Sequence, residues 1–141
     1  MGAGYNRKDL RSHAKAKLDD ALLLLHNKRY SNSYYLAGYA VEIGLKACVA
    51  AQVTSETIPE KAFLQKFYNH DFDTLVGLAG LAQDRKSMEK TDQDFATNWA
   101  IVSEWSPDIR YEAVDPTSAE TMLSAIIDPK SGVLKWIKAY W

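Results

Sequence analysis

Glu42 and Lys46 stand four residues apart in a stretch otherwise nearly free of charge, residues 31–52. At that spacing a carboxylate and an ammonium meet on one helix face, and an exposed pair contributes roughly 0.3–0.5 kcal/mol. Their setting is unusual, because Tyr35 and Tyr39 share their angular sector and the rest of the stretch is apolar. A carboxylate held there needs a cation or hydrogen-bond donors to offset its desolvation. Lys46 is one candidate. Arg110, followed by Tyr111, is another, since a forked guanidinium suits either Glu42 or a ligand phosphate. The sequence therefore predicts a polar cluster in which Arg110 approaches Glu42, structural rather than catalytic in character.

Other chemistry is harder to find. The three histidines, His13, His26 and His70, are far apart, no His-Glu-x-x-His is present, and Cys48 is the sole cysteine. No metal site and no cofactor are expected. Gly-rich phosphate loops and a nucleophile elbow are absent. Arg7, Lys8, Arg11, Lys15 and Lys17 make a local basic segment, with Lys8, Arg11 and Lys15 on one side of a helix. The plain reading is a solvated face, and a ligand-facing strip is the alternative, because positive charge at a helix start opposes the dipole. Trp136, Tyr140 and Trp141 read equally well as core or as an aromatic patch for self-association.

The elements that would position these groups are helical. The chain has 141 residues, 47% hydrophobic and 25% charged, with only 7 Gly and 4 Pro, too few turn residues for an all-β fold. A net charge of -1 gives no global reason to expect nucleic acid or membrane as partner. One cysteine allows no intrachain disulfide, and a small buried thiol is expected. No apolar run reaches the roughly 18 residues of a membrane span, and the first residues lack a signal-peptide core; a cytoplasmic protein is expected.

Residues 9–27 repeat Leu10, Ala14, Leu18, Ala21, Leu22 and Leu25 at helical spacing. Ser31 or Ser33 is then placed to cap a second helix over residues 31–52. Its faces carry Leu36, Ala40, Ile43 and Ala47 beside the small Ala37, Gly44, Cys48 and Ala51. Such a helix, apolar nearly all round, belongs at the centre of a bundle. Residues 54–59 read as a turn, with Pro59 opening a short helix that holds Ala62, Phe63, Phe67 and Tyr68. Asp71 or Asp73 caps a helix with Leu75, Leu78 and Leu81, and residues 83–90 read as a polar loop or frayed end. Thr91 or Asp92 begins a helix that turns Phe95, Trp99, Val102 and Trp105 inward, stopped at Ser106-Pro107. Residues 108–116 make a long connection, and Thr117 caps a last helix through Met122, Leu123 and Ile126, with Pro129 a kink or restart before residues 133–141. No repeat or linker divides the chain, so residues 1–141 are read as one domain, an all-α, compact up-and-down bundle of four to six helices.

The segment from Arg29-Tyr30-Ser31 through Tyr34-Tyr35-Leu36-Ala37-Gly38-Tyr39 to Glu42-Ile43-Gly44-Leu45-Lys46-Ala47 resembles the signature of HEPN domains. Members commonly show a Tyr, a run of small residues and a Glu-x-x-x-Lys-Ala ending there. Asn69-His70-Asp71 before Leu75 is similar to the family's His-centred start of a middle helix. Trp105 with Arg110-Tyr111 is similar to its Trp…Arg-Tyr segment. The resemblance implies a bundle of four or five helices, often a homodimer, that associates with nucleotide or RNA. It also implies a setting beside a nucleotidyltransferase in toxin–antitoxin-like pairs. Many members are RNases that use an Arg followed, four to six residues on, by a His. Here Arg110 is followed by Tyr111-Glu112-Ala113-Val114-Asp115-Pro116-Thr117, and no His occurs after His70. Arg7 and His13 match the spacing in the wrong part of the chain, and on one helix would point about 120° apart. The expected function is thus a non-catalytic HEPN-type binding domain, with Glu42, Lys46, Arg110, Tyr111 and His70 as ligand-binding residues and no catalytic residue assigned. The rivals are an RNase with His70 or His13 as base, and a plain dimerisation module that uses Trp136 and Trp141.

Overall fold

The computed structural model describes residues 5–53 and 58–141, and among them the only regular structure is helical. Helix α1, Arg7–His26, is started by Asn6, whose side chain accepts from the Asp9 amide at 2.8 Å while its own amide donates to the Asp9 carboxylate at 2.7 Å. One orphan amide of the first turn is satisfied in this way, and the side-chain bond between Asn6 and Asp9 braces the cap. The predicted stripe is buried at Leu10, Ala14, Leu18 and Ala21, with Leu22 and Leu25 partly covered.

The end of α1 is a Schellman turn: the Arg29 amide donates to the Leu24 carbonyl at 2.8 Å and the Lys28 amide to that of Leu25 at 3.0 Å. Lys28 occupies the left-handed position at φ 62°, where glycine is the usual residue. A β-carbon there costs roughly 1–2 kcal/mol. Lys28→Gly is accordingly expected to stabilise the protein by about 1 kcal/mol, less any entropy glycine regains in the unfolded chain. A midpoint in urea that fails to rise would contradict this.

Because that turn feeds directly into α2, Tyr30–Ala50, no side chain caps α2. The expectation for Ser31 and Ser33 is corrected. Ser33 is fully buried and donates to the Ala21 carbonyl at 2.7 Å, and Ser31 accepts from the Val114 amide at 2.9 Å. Both hydroxyls join elements rather than cap one. Helix α2 packs against α1 and, further on, against the other elements it centres.

Residues 54–57 lie outside the described residues, so the predicted turn is visible only at its end. Helix α3, Lys61–Phe67, begins two residues after Pro59, not at it. Asp71 caps α4, Phe72–Leu78, as predicted, accepting from the Thr74 amide at 3.0 Å. Gly80, at φ 75°, turns the chain into α5, Ala82–Thr91, where a polar loop was expected. Helix α5 buries no residue fully. It is held by side chains at its edge: Asp84 accepts from the Trp136 indole at 2.7 Å and the Tyr140 hydroxyl at 2.6 Å, and the Arg85 guanidinium lies 5.4 Å from the centre of the Trp99 ring. Asp84 holds the Tyr140 hydroxyl in its protonated form, raising its pKa.

Asp92 caps α6, Gln93–Ser103, accepting from the amides of Asp94 and Phe95, while its other oxygen accepts from the Ser131 hydroxyl at 2.8 Å. Phe95, Trp99 and Val102 point inward as predicted, and Trp105 is buried just past the helix end. The 108–116 connection contains a 3-10 turn, Pro107–Tyr111. Asp115, not Thr117, caps α7, Pro116–Ile127, accepting from the Ser118 amide at 2.7 Å, with Pro116 in the first turn. Helix α7 ends before Pro129, and the chain resumes helical structure as α8, Val133–Lys138.

These caps have a pH signature. The carboxyls of Asp92, Asp115 and Asp128 are held below their usual range, chiefly by Ser131, by Ser118 and by the Lys130 amide respectively. A depressed native pKa means stability that is fully present above the unfolded value of about 4 and is lost as pH falls through the lower native value. Thermal stability is expected to be level from neutral down to about pH 5 and to fall below about pH 4. Asp92→Asn should shallow that fall, and an unchanged acid slope in the variant would refute the assignment.

Helix α2 centres the bundle, touching α1, α4, α7, α8 and the 3-10 turn. Its glycines permit this. A β-carbon at Gly38 would lie 2.2 Å from the Trp105 indole, and one at Gly44 would lie 3.1 Å from Ile137. Cys48 is buried against the Ile137 carbonyl, and burial pushes its thiol up to about 12, so it stays protonated and unreactive in the native state. Among the described residues no helix is long and apolar enough to cross a membrane.

Candidate binding cleft

Of the three aromatics left open between core and patch, Trp136 and Trp141 are buried within the chain, whereas Tyr140 is exposed. Trp136 meets Phe95, Trp99 and Tyr140 ring to ring. The backbone oxygen of Trp141 accepts from Arg7 and, at 3.3 Å, from Arg11, while the Lys15 ammonium lies 5.8 Å from the Trp141 ring centre. Most of the basic segment is thus engaged in holding residue 141 against α1.

The polar cluster predicted on α2 is present in part. Glu42 is 2% exposed, and its two oxygens are divided between two partners. Oε1 lies 2.8 Å from Nδ1 of His70, and Oε2 lies 3.3 Å from the Lys46 ammonium. Lys46 is itself mostly covered, at 13% side-chain exposure, with its ammonium 5.4 Å from the Phe67 ring centre, whereas the His70 imidazole is 56% exposed. The turn between α3 and α4 brings His70 there: Asn69 and Asp71 close it with side-chain bonds to the Asp71 and Thr74 amides. A neutral imidazole that donates from Nδ1 to a buried carboxylate leaves Nε2 free toward solvent.

Arg110 does not approach Glu42, which corrects the sequence expectation. Its guanidinium lies 4.9 Å from the Tyr111 ring centre, and the neighbouring phenols of Tyr111 and then Tyr35 hold its pKa above the ordinary value. Tyr35 and Glu42 lie on one face of α2, but seven residues separate them by about 10 Å along the axis. The 3-10 turn delivers Arg110 to the earlier position. Tyr35 meets Tyr39 edge-on, with ring centres 6.1 Å apart, and Tyr39 reaches toward Glu42. Burial and then the Glu42 charge raise the Tyr39 pKa and keep its hydroxyl a neutral group.

Glu42, Lys46 and Tyr39 form one wall of a cleft of about 460 Å³. The opposite wall is α1, through Asp9, His13 and Lys17, and the mouth is lined by Tyr5, Phe67 and Tyr68. That volume falls in the range of small-molecule sites. The sequence reading named His13 as a rival base and Lys17 in the basic segment but did not group them with Asp9, although the three recur every four positions and so share a face. Arg7 and His13, which match the nuclease spacing on paper, diverge as their azimuth requires: Arg7 holds Trp141 and His13 faces the cleft. Tyr5 and Tyr68 are exposed at the rim, with ring centres 6.3 Å apart and an edge-on angle of 65°. The formal charges of the lining balance, Asp9 and Glu42 against Lys17 and Lys46. Among the described residues no group of three or more His, Cys, Asp or Glu is placed to hold a metal ion.

The chain matches no family model, no curated protein and no solved structure in these comparisons.

Proposed function

We propose that this chain is a non-catalytic, HEPN-type binding domain that takes a nucleotide, or one nucleotide of a single-stranded RNA, in the cleft between α1 and α2. The observation that carries the reading is the convergence there of stacking faces with paired charges. Tyr5 and Tyr68 offer aromatic faces at the rim, Lys17 and Lys46 offer cations, and Asp9, Glu42 and Tyr39 offer partners for hydroxyl groups. Base–aromatic stacking contributes roughly 1–3 kcal/mol per base, and a phosphate is held by ammonium groups. A strand leaving the cleft past Tyr35 would next meet Arg110 and the exposed ring of Tyr111. The resemblance extends the reading to a homodimer and to a nucleotidyltransferase-type partner.

The test is titration of the full chain with the dinucleotide uridylyl-uridine, followed by backbone amide shifts. Perturbations should centre on residues 5–17, 39–46 and 67–70. Tyr68→Ala should weaken binding about tenfold, the equivalent of roughly 1.4 kcal/mol of stacking. Shifts confined to the α6–α7 side, or no shifts, would overturn the reading. The His70–Glu42 contact favours a second reading, an RNase in which His70 is the base, because a buried carboxylate that orients an exposed imidazole is a proton-transfer arrangement. Cleavage of single-stranded RNA that is lost in His70→Gln would move that reading ahead of the first.

A further inference from the structure

Glu42 has two oxygens and two basic partners: an ammonium, and an imidazole, the side-chain type that serves as a proton switch. When the His70 imidazole is neutral, the Glu42 charge is matched by Lys46 alone, at 3.3 Å. The pair is then internally neutral and offers a ligand no net charge. When His70 carries a proton, it matches Glu42 from the other oxygen, at 2.8 Å, and the charge of Lys46 becomes surplus. Lys46 stays in place, held by Oε2 and by the Phe67 ring, and it faces the cleft.

We propose that the His70–Glu42–Lys46 array is a proton-operated charge switch, which makes the cleft bind an anionic group, of the phosphodiester class, more tightly in the protonated state. The proposal rests on the reading of the cleft as a nucleotide site and adds its regulation. His13, which lines the opposite wall beside Lys17 and Asp9, contributes in the same direction.

The charge balance makes the effect large for the site. With both imidazoles neutral, Asp9 and Glu42 cancel Lys17 and Lys46. With His13 charged the lining itself carries one net positive charge, and a charged His70, which touches Glu42 from outside the lining, offsets Glu42 and adds a second. The remaining polar groups that face the array do not offset this. Tyr39 is held neutral by burial and by Glu42, Tyr68 is a phenol, and Asp71 is committed to the Thr74 amide and hydroxyl. Arg7 and Arg11 are turned away onto Trp141. Linkage fixes the sign: an anion that favours the protonated form loses affinity as pH rises, and proton uptake accompanies binding.

The probe should hold its own charge constant. Uridylyl-uridine is suitable, because its phosphodiester remains a monoanion throughout this range. Its dissociation constant, measured on the full chain by amide shifts, is expected to be roughly tenfold smaller near pH 5.5 than near pH 8, the size of an ordinary coupling between two sites. His70→Gln, which keeps a donor for Glu42 but cannot gain a charge, should remove most of that ratio, and His70→Gln with His13→Gln should leave the profile flat. Lys46→Gln should weaken binding at both pH values, because the cation that faces the cleft is gone. A wild-type profile that is flat, or a His70→Gln profile as steep as the wild type, overturns the switch while leaving the nucleotide site standing. No binding at either pH overturns the nucleotide reading and the switch with it.

Discussion

Gly38→Ala is expected to cost about 2 kcal/mol of stability. An added β-carbon would sit 2.2 Å from three atoms of the Trp105 indole, far inside contact distance. The indole has little room to yield. It is 5% exposed, stacked on Phe72 with ring centres 5.5 Å apart and planes 3° from parallel, and it has Tyr35 6.1 Å away. Alanine would by itself favour the helix by about 1 kcal/mol. Overpacking of a closed core costs roughly 1–3 kcal/mol and occasionally more. The overlap here is severe and the neighbour is a rigid ring, so the steric cost outweighs the helical gain. The melting temperature should fall by roughly 6–10 °C, and the near-ultraviolet signal of Trp105 should change. A neutral or stabilised variant would show that α2 and the 105 region do not approach as described.

Replacing Glu42 should cost more and do so selectively. Glu42→Ala removes the acceptor for His70 and Lys46 and leaves a cavity beside the bundle centre. Breaking a buried pair from one side costs roughly 3–5 kcal/mol when both groups are buried. His70 is more than half exposed and can be rehydrated, so the loss is better placed at about 2–4 kcal/mol, most of it from the stranded Lys46. Repair distinguishes charge from shape. In the double variant Glu42→Leu with Lys46→Leu, no ion is left unpaired, and much of the lost stability should return, because apolar replacements of buried pairs are often neutral or better. Denaturant midpoints for the single and double variants measure the difference. If the double variant is no more stable than Glu42→Ala, the cost belongs to packing and not to charge. Either variant should also change the acid enhancement of dinucleotide binding, since the oxygen that His70 uses is gone, while the share supplied by His13 remains.

Elements with strong periodicity were legible from the sequence. The leucine and alanine stripe of α1 and the small-residue faces of α2 depend on residues within the element, so spacing alone exposes them. Helix α5 was not legible, because its apolar content is low and its supports lie in other elements: Trp136, Tyr140 and Trp99. Caps were half legible for a related reason. Near residues 31–33 and 115–117 several side chains can accept from an amide, and the preceding turn decides which one does. The Schellman turn at Lys28 left Ser31 and Ser33 free for tertiary bonds, and Pro116 in the first turn selected Asp115.

The site divides in the same way. That Glu42 needs a cation follows from its surroundings in the chain, and Lys46 follows from the helical repeat. Choosing between His70 and Arg110 required three-dimensional placement, since both are distant in sequence and both suit a carboxylate. The 3-10 turn places Arg110 two helical turns too early, at Tyr35. The α1 wall was read only in pieces, His13 as a rival base and Lys17 within the basic strip, for want of a reason to rank Asp9, His13 and Lys17 above the basic residues beside them. Those neighbours serve Trp141 instead.

Helix α5 carries one more consequence. With no fully buried side chain of its own, it is docked largely through Asp84 and Arg85 at its edge, and so its attachment is separable from the integrity of the core. Segments of this kind open as units at a fraction of the global free energy. In kinetic terms α5 is a latch: backbone amides of residues 82–91 would exchange with solvent in excursions that leave α2 and α7 closed, and the first face uncovered would be the indoles of Trp99 and Trp136.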